Sequence, residues 1–90
     1  MKPSRSRTTL LRVGRRLRQA REALGLTQRE LFEDLGVQEG RWSHWETGRR
    51  LPDPLVMARL AERHAVSLDW IYRGVLTGLP ARLRRRLGAQ

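Results

Sequence analysis

The stretch TQRELFEDLGVQEGRWSHWE, residues 27 to 46, has the pattern of two short helices separated by one glycine. Thr27 followed three positions later by Glu30 is a capping box, in which each side chain accepts a hydrogen bond from the backbone N–H of the other residue. Gly36 can adopt the left-handed conformation that ends a helix and turns the chain. The pattern predicts a helix over residues 28 to 35, followed by a sharp turn.

A second helix is predicted from Gln38 to Glu46. Trp42 and Trp45 lie three positions apart and therefore share its inner face, and Val37 precedes it. The residues on its outer face are Glu39, Gly40, Arg41, Ser43 and His44. Two short helices joined by a tight turn form the layout of a helix-turn-helix.

This stretch resembles the lambda-repressor-like (XRE or Cro type) DNA-binding helix-turn-helix. Gln28 opens the motif, Gly36 occupies its turn position, and residues 46 to 48, ETG, match its closing signature. The apolar positions of the motif hold Leu31, Leu35, Val37, Trp42 and Trp45. The likeness extends over residues 10 to 74. It implies an all-α, compact five-helix domain whose helices 2 and 3 form the helix-turn-helix, and a double-stranded DNA partner.

We divide the chain into three parts. Residues 1–8 are a basic arm expected to be flexible, residues 9–74 the helix-turn-helix domain, and residues 75–90 a basic amphipathic extension. Apolar residues at spacings of three and four predict helix 1 from Thr9 to Leu24.

Two further helices are predicted after the motif. Helix 4 begins at Pro54, with Asp53 as its N-cap, and ends near His64. Ser67 caps a short helix 5. The residues of helix 5 expected to pack inward are Leu68, Ile71 and Tyr72. Trp70 is expected to be partly exposed.

The extension is predicted to contain a short helix, because Pro80 suits a first turn and the following leucines form an apolar stripe. The stripe consists of Leu79, Leu83 and Leu87, and the other faces hold Arg82, Arg84, Arg85 and Arg86. Three placements are open: packing on helix 5, contact with a dimer partner, or binding to an acidic surface such as DNA or membrane lipid. We favour the first two, because three leucines make a weak membrane anchor.

The resemblance implies that the outer face of helix 3 reads base edges in the major groove. The expected base-reading residues are Gln38, Glu39, Gly40, Arg41, Ser43 and His44. The expected phosphate-binding residues are Thr27, Gln28, Arg21, Thr47, Arg49 and Arg50. By residue type, Arg41 suits guanine and Gln38 suits adenine. Glu39 either accepts from a cytosine amino group or complements the helix dipole, and we give both equal weight.

Arg21 has a second expected role. In the family this position pairs with the glutamate that closes helix 3, so we predict an ion pair between Arg21 and Glu46. The pair would tie helix 1 to helix 3, and it could also orient the guanidinium toward a phosphate.

One residue departs from the family pattern. Phe32 occupies a position that normally holds a small residue, and a phenylalanine there needs room. Either the angle between the helices changes or a residue opposite is smaller, and we expect Gly40 to be that smaller residue. Gly40→Ala should then change DNA affinity, or the packing of helices 2 and 3, more than helix propensity alone would.

The net charge of +10 is concentrated at the two ends of the chain. Residues 1–21 contain no acidic residue, and residues 82–86 hold four arginines. All cations except Lys2 are arginine, whose guanidinium binds phosphate through paired N–H groups. A high-GC genome explains part of the arginine content but not its clustering, which favours a nucleic-acid partner.

Composition argues against several other classes of protein. The chain has no cysteine and two histidines, so we expect no metal site and no cofactor. An enzyme would be indicated by paired carboxylates or by a nucleophile with a base, and we find neither set in the sequence. No apolar run approaches the ~20 residues of a membrane span, and the first residues lack the apolar segment of a signal peptide. We therefore expect a cytoplasmic protein, nucleoid-associated when bound to DNA, without a membrane partner.

Two functional hypotheses follow. The first is a bacterial or phage transcriptional regulator, a repressor or autorepressor that binds a palindromic operator as a homodimer. The alternative is an antitoxin or antiactivator that uses the same domain to bind a protein partner. Glu39 and Gly40 keep this alternative open, because they weaken the base-reading set. A strong preference for specific over random DNA would separate the two.

Overall fold

The computed structural model describes residues 3 to 89, with side chains from residue 7 onward. Over this range the chain forms six α-helices and no strand, which confirms the all-α class. The helices are α1 (Pro3–Ala23), α2 (Gln28–Leu35), α3 (Glu39–Glu46), α4 (Pro54–His64), α5 (Leu68–Arg73) and α6 (Ala81–Gly88). The grouping of the first five helices as one domain, with α6 as an extension, stays a prediction.

The helix-turn-helix is formed by α2 and α3, and local hydrogen bonds set its bounds. Thr27 Oγ1 accepts from the Glu30 N–H at 3.1 Å, and Glu30 Oε1 accepts from the Thr27 N–H at 2.8 Å, so the capping box is present. Gly36 ends α2 with a φ of 72°, in the left-handed region that favours glycine. α3 begins at Glu39, one residue later than expected, because Gln38 is its extended N-cap.

One apolar core joins all six helices. Its largest fully enclosed side chains are Val13, Leu17, Leu31, Leu35, Trp42, Met57, Leu60, Val66 and Ile71. Trp42 and Trp45 pack edge to face, with ring centroids 5.6 Å apart, an arrangement that the quadrupoles of aromatic rings favour. Both tryptophans are therefore part of the core, as expected from the inner face of α3.

The first helix is longer than predicted. We expected a flexible arm before Thr9, but the backbone is helical from Pro3 onward. A proline is tolerated in the first helical turn, where its missing N–H has no intrahelical partner, and no helix breaker follows it before Gly14. Residues 1 and 2 of the predicted arm lie outside the described residues.

The inner face of α5 also differs from the prediction. Trp70 is 7% exposed and belongs to the core, whereas Leu68 and Tyr72 are 43% and 37% exposed. Ile71 is buried as expected. A helix of six residues makes less than two turns, so its sequence periodicity cannot define a face. Packing against α1 and α4 decides which residues are enclosed.

The extension packs back on its own chain, and its main helix partner is α1 and not α5. All three leucines of its predicted stripe, Leu79, Leu83 and Leu87, are buried. Arg86 donates through Nη1 to the backbone carbonyl of Ala23 at 2.6 Å, at the end of α1 where carbonyls lack helical partners. The leucines therefore serve the core of this chain.

A close approach between helices occurs at Gly14 and not at Gly40. A Cβ atom built at Gly14 would lie 2.4 Å from the Trp45 carbonyl oxygen and 2.6 Å from that of Glu46. A Cβ at Gly40 would meet no atom within 4 Å. The expectation that Gly40 makes room for Phe32 is therefore wrong. Phe32 is buried without it, and the missing side chain of Gly14 brings α1 against the end of α3.

Candidate nucleic-acid interface

Glu46, the last residue of α3, joins the first three helices through one carboxylate. Arg21 of α1 donates to it through Nε at 2.7 Å and Nη2 at 3.2 Å, which confirms the predicted ion pair. Gln28 Nε2 of α2 donates at 3.0 Å, and Trp42 Nε1 of α3 at 2.6 Å. The Glu46 side chain is only 3% exposed. Charge-assisted bonds from four donors can satisfy a carboxylate in such an environment.

Two members of this network were not anticipated. Gln28 was expected at a phosphate, and Trp42 was expected to contribute only its apolar ring. The available signal was the spacing of Trp42 and Glu46, which lie four residues apart on one helical face. Arg21 also donates through Nη1 to the Leu26 carbonyl at 3.0 Å, so its guanidinium is largely engaged inside the protein. The network fixes the position of α3 on α1 and α2.

The predicted base-reading residues all lie on the accessible side of α3. Ser43 is half-buried, and the exposed members are Gln38, Glu39, Gly40, Arg41 and His44. The Gln38 side chain makes no capping hydrogen bond. The Gln38 side chain therefore does not cap α3.

His44 lies between two shallow recesses. One has a volume of about 420 Å³ and is lined by Glu39, Gly40, Ser43, His44, Thr47 and Arg49. The other has a volume of about 390 Å³ and is lined by Arg41, His44, Trp45, Arg50 and Leu51. The fold therefore brings five of the six predicted base-reading residues together with two predicted phosphate-binding arginines, while Gln38 lines neither recess.

Arg41 is directed toward the start of α4. Its Nη2 lies 3.4 Å from Asp53 Oδ2, and its guanidinium carbon lies 5.3 Å from the centre of the Trp45 ring. The Leu55 backbone N–H, and to a smaller extent Arg41, lower the pKa of the Asp53 carboxyl. Exposed ion pairs contribute roughly 0–1 kcal/mol. Arg41 can therefore leave this pair for a nucleic-acid acceptor at little cost.

The predicted phosphate-binding residues fall into two groups. Arg49 and Arg50 are exposed, and their side chains have no hydrogen-bond or ion-pair partner among residues 7 to 89. The others already make contacts within the protein. Thr47 Oγ1 donates to the Ser43 carbonyl at 2.8 Å, and Thr27 Oγ1 caps α2. Among the predicted phosphate-binding residues, the cations without a partner in this range are therefore the two in the loop after α3.

Residues 3 to 89 were also compared with the requirements of a membrane span and of a metal site. No helix in this range is both long enough and apolar enough to cross a bilayer. Its histidine, aspartate and glutamate side chains form no group of three or more that could hold a metal ion.

Comparison with known proteins agrees with this architecture. Residues 14–76 match the helix-turn-helix domain family, so the chain belongs to that family, and its likeness is to the XRE type. The HTH-type transcriptional regulator ImmR of Bacillus subtilis (strain 168) is 34% identical over 59 residues, which are 66% of this chain and 46% of the relative. The matched region thus spans about half the length of that curated relative. No solved structure matches the chain.

Proposed function

We propose that this protein is a sequence-specific, double-stranded DNA-binding transcriptional regulator that acts as a repressor or autorepressor. The observation that carries this proposal is the outer side of α3. Its side chains are accessible, it is bordered by Arg49 and Arg50, and these two arginines have no partner within the described part of the chain. An accessible helix of about 10 Å diameter fits a DNA major groove about 12 Å wide.

The two sides of α3 suggest how recognition would work. The Glu46 network holds the helix on α1 and α2, so its outer side chains are presented in a fixed orientation. Arg41 and His44 would reach base edges, because both project from the accessible side. Arg49 and Arg50 would bind backbone phosphates, which supply affinity and set the register on the duplex.

The Bacillus subtilis relative is a transcriptional regulator, which supports the regulatory role. The alignment between the two proteins covers 59 residues. It therefore supports a shared type of domain more directly than a shared operator or regulated gene.

We further propose that the protein binds a palindromic operator as a homodimer. Leu51, in the connection between α3 and α4, is 60% exposed, and Leu55, in the first turn of α4, is 74% exposed. Large exposed apolar side chains close together are typical of an interaction site. A contact there would place two copies of α3 on one face of the duplex, about 34 Å apart. Sedimentation equilibrium of the wild type and of Leu55→Glu tests this contact, and a wild-type monomer on operator DNA would contradict it.

The DNA-binding proposal is tested by fluorescence anisotropy at about 150 mM salt, with the DNA upstream of the gene and a scrambled duplex of equal length. A preference of about 1000-fold or more is expected for an operator. Arg49→Ala with Arg50→Ala should weaken binding to both duplexes and make binding less dependent on salt, because phosphate contacts carry no sequence information.

Equal, salt-sensitive binding to both duplexes would contradict specific recognition of that site. It would favour the alternative, an antitoxin or antiactivator that binds a protein partner. Glu39 is the residue that motivates this alternative, since its exposed carboxylate has no partner among residues 7 to 89 and would be repelled by phosphates. Affinity capture on the immobilised protein would then be compared between wild type and Glu39→Lys.

A further inference from the structure

A second basic surface lies between α1 and α5. It is a groove of about 360 Å³, continuous with a recess of about 200 Å³ that shares three of its arginines. The groove is lined by Arg12, Arg15, Arg16, Gln19, Trp70, Arg73 and Gly74. We call this surface the basic groove. No acidic residue lines it, and its volume lies within the range of sites for small molecules.

Arg16 is held in place within the basic groove. Its Nη1 donates to the Ile71 carbonyl at 3.1 Å, which anchors the guanidinium at α5. A Cβ atom at Gly74 would lie 3.1 Å from Arg16 Nε, so the glycine leaves space for the guanidinium. Burial lowers the pKa of Arg16, and the neighbouring charge of Arg12 lowers it further. Both effects disfavour the protonated guanidinium, and an anion bound beside it would offset them.

The basic groove also contains more hydrogen-bond donors than nearby acceptors can satisfy. Arg12 and Arg15 are exposed and have no hydrogen-bond or ion-pair partner within residues 7 to 89. Arg73 has one exposed contact, to Asp69 at 3.4 Å. The indole Nε1 of Trp70 is buried without an acceptor in the described part of the chain, which is uncommon for a buried polar atom. An anion would neutralise the arginines.

The basic groove faces away from the recognition helix. Gly14 marks the side of α1 that contacts α3. Arg12 and Arg16 are each two residues from Gly14, and at 3.6 residues per turn this places them about 160° around the helix from it. We therefore expect a duplex lying against the outer side of α3 to leave this surface uncovered, so that an anion bound there would be a separate ligand.

We propose that the basic groove binds a small phosphate-bearing ligand. Arg16 is the fixed cation of this site, because its guanidinium is anchored at Ile71, while Arg12, Arg15 and Arg73 bind the phosphate oxygens from its rim. Arginine suits this role, since its N–H groups form paired hydrogen bonds with phosphate. The exposed ring of Tyr72 in the adjoining recess offers a surface for the rest of the ligand.

The proposal is tested by titrating the full chain with inorganic pyrophosphate and recording ¹H–¹⁵N spectra. The titration is done at about 150 mM chloride with the ionic strength held constant. The chain has three indole N–H signals, which substitution of each tryptophan by phenylalanine assigns. Pyrophosphate is expected to move the Trp70 signal saturably and to leave that of Trp42 in place, because Trp42 Nε1 donates to Glu46.

Matched double variants locate the site. Arg12→Ala with Arg15→Ala should weaken pyrophosphate binding about tenfold or more, because it removes two cations from the rim. These positions are exposed on a helix, where alanine is well tolerated, so the fold is preserved. Arg49→Ala with Arg50→Ala removes the same charge from the loop after α3 and should leave pyrophosphate binding unchanged.

Three results would overturn the proposal. The first is a Trp70 signal that does not respond to pyrophosphate, and the second is equal weakening in both double variants. The third comes from a duplex titrated in place of pyrophosphate, which is expected to leave the Trp70 signal unmoved. A Trp70 response to the duplex alone would show that the basic groove is a DNA-backbone site.

Discussion

The inner and outer sides of α3 differ in how their polar groups are used. On the inner side, Trp42 and Trp45 pack together and Glu46 accepts hydrogen bonds from donors on three helices. On the outer side, Glu39 and His44 are exposed, and their side chains have no partner in residues 7 to 89. The inner side of this eight-residue helix therefore holds it on the rest of the protein, and the outer side is left accessible for binding. Substitutions on the inner side should change stability, and those on the outer side should change binding.

A second carboxylate also joins separate helices, but it is not buried. The comparison indicates that burial of Glu46, more than its number of contacts, distinguishes the inner side of α3. Asp34, near the end of α2, accepts from Arg63 Nε at 2.9 Å and lies 2.8 Å from His64 Nε2, both on α4. Like Glu46, it joins separate helices. Unlike Glu46, it is accessible to water, which competes for its donors and screens its charge.

The largest effect is expected from Glu46→Ala. The substitution leaves the mostly buried Arg21 guanidinium without its carboxylate, and Gln28 and Trp42 without an acceptor. Removal of one partner of a buried ion pair costs about 3–5 kcal/mol. Urea unfolding measures this loss. Glu39→Ala on the outer side of the same helix is the control and should change the free energy of unfolding by less than about 0.5 kcal/mol. Equal effects of the two substitutions would remove the distinction between the sides.

Next in size is the contrast between two glycines. Gly14→Ala places a methyl group against the Trp45 and Glu46 carbonyl oxygens, both backbone atoms that cannot rotate away. We expect it to destabilise the protein by about 1–3 kcal/mol, although alanine is the better helix former. Gly40→Ala adds its methyl group in open space and should stabilise the protein by up to about 1 kcal/mol. A stabilising Gly14→Ala in thermal unfolding would contradict the close approach of α1 and α3.

The outer side is tested by Arg41→Ala and His44→Ala in separate variants. Each should reduce discrimination between operator and scrambled DNA by about 1–3 kcal/mol, the usual contribution of one good base contact. The free energy of unfolding should stay within about 0.5 kcal/mol of the wild type, because Arg41 makes only an exposed pair. Anisotropy and urea unfolding on the same samples give both quantities. A loss of the same size on both duplexes would assign the residue to phosphate contact.

The smallest effect is expected from Asp34→Asn, and it depends on pH. Hydrogen bonds from Arg63 and then His64 hold the pKa of the folded Asp34 carboxyl well below its usual value. Its contribution to stability is therefore complete above the ordinary aspartate pKa of about 3.9 and declines as the pH falls toward the folded pKa. The melting temperature of Asp34→Asn should lie slightly below that of the wild type at pH 7, and the gap should close on acidification. A gap that stays constant down to pH 2, or that Asp69→Asn reproduces, would refute this assignment.

Recognition of the fold from sequence succeeded where signals were local or belonged to the motif. The capping box at Thr27 and the left-handed Gly36 lie where the pattern predicted them, and so does the Arg21–Glu46 pair. The expected base-reading surface also lies on the accessible side of α3, although its contacts with DNA stay a prediction. Errors arose where the outcome depended on distant parts of the chain, as at Trp70 in α5 and at Gly40.

The sequence by itself determined the helical class, the caps and the turn of the helix-turn-helix, because each depends on hydrogen bonds and apolar spacing within a few residues. Only the tertiary structure decided which groups are enclosed. Gly14 is tight because the end of α3 crosses it, and α6 packs on α1, where its leucines are buried and Arg86 donates to the Ala23 carbonyl. The four donors around Glu46 come from three helices up to 25 residues apart, and burial of that carboxylate is a property of their packing.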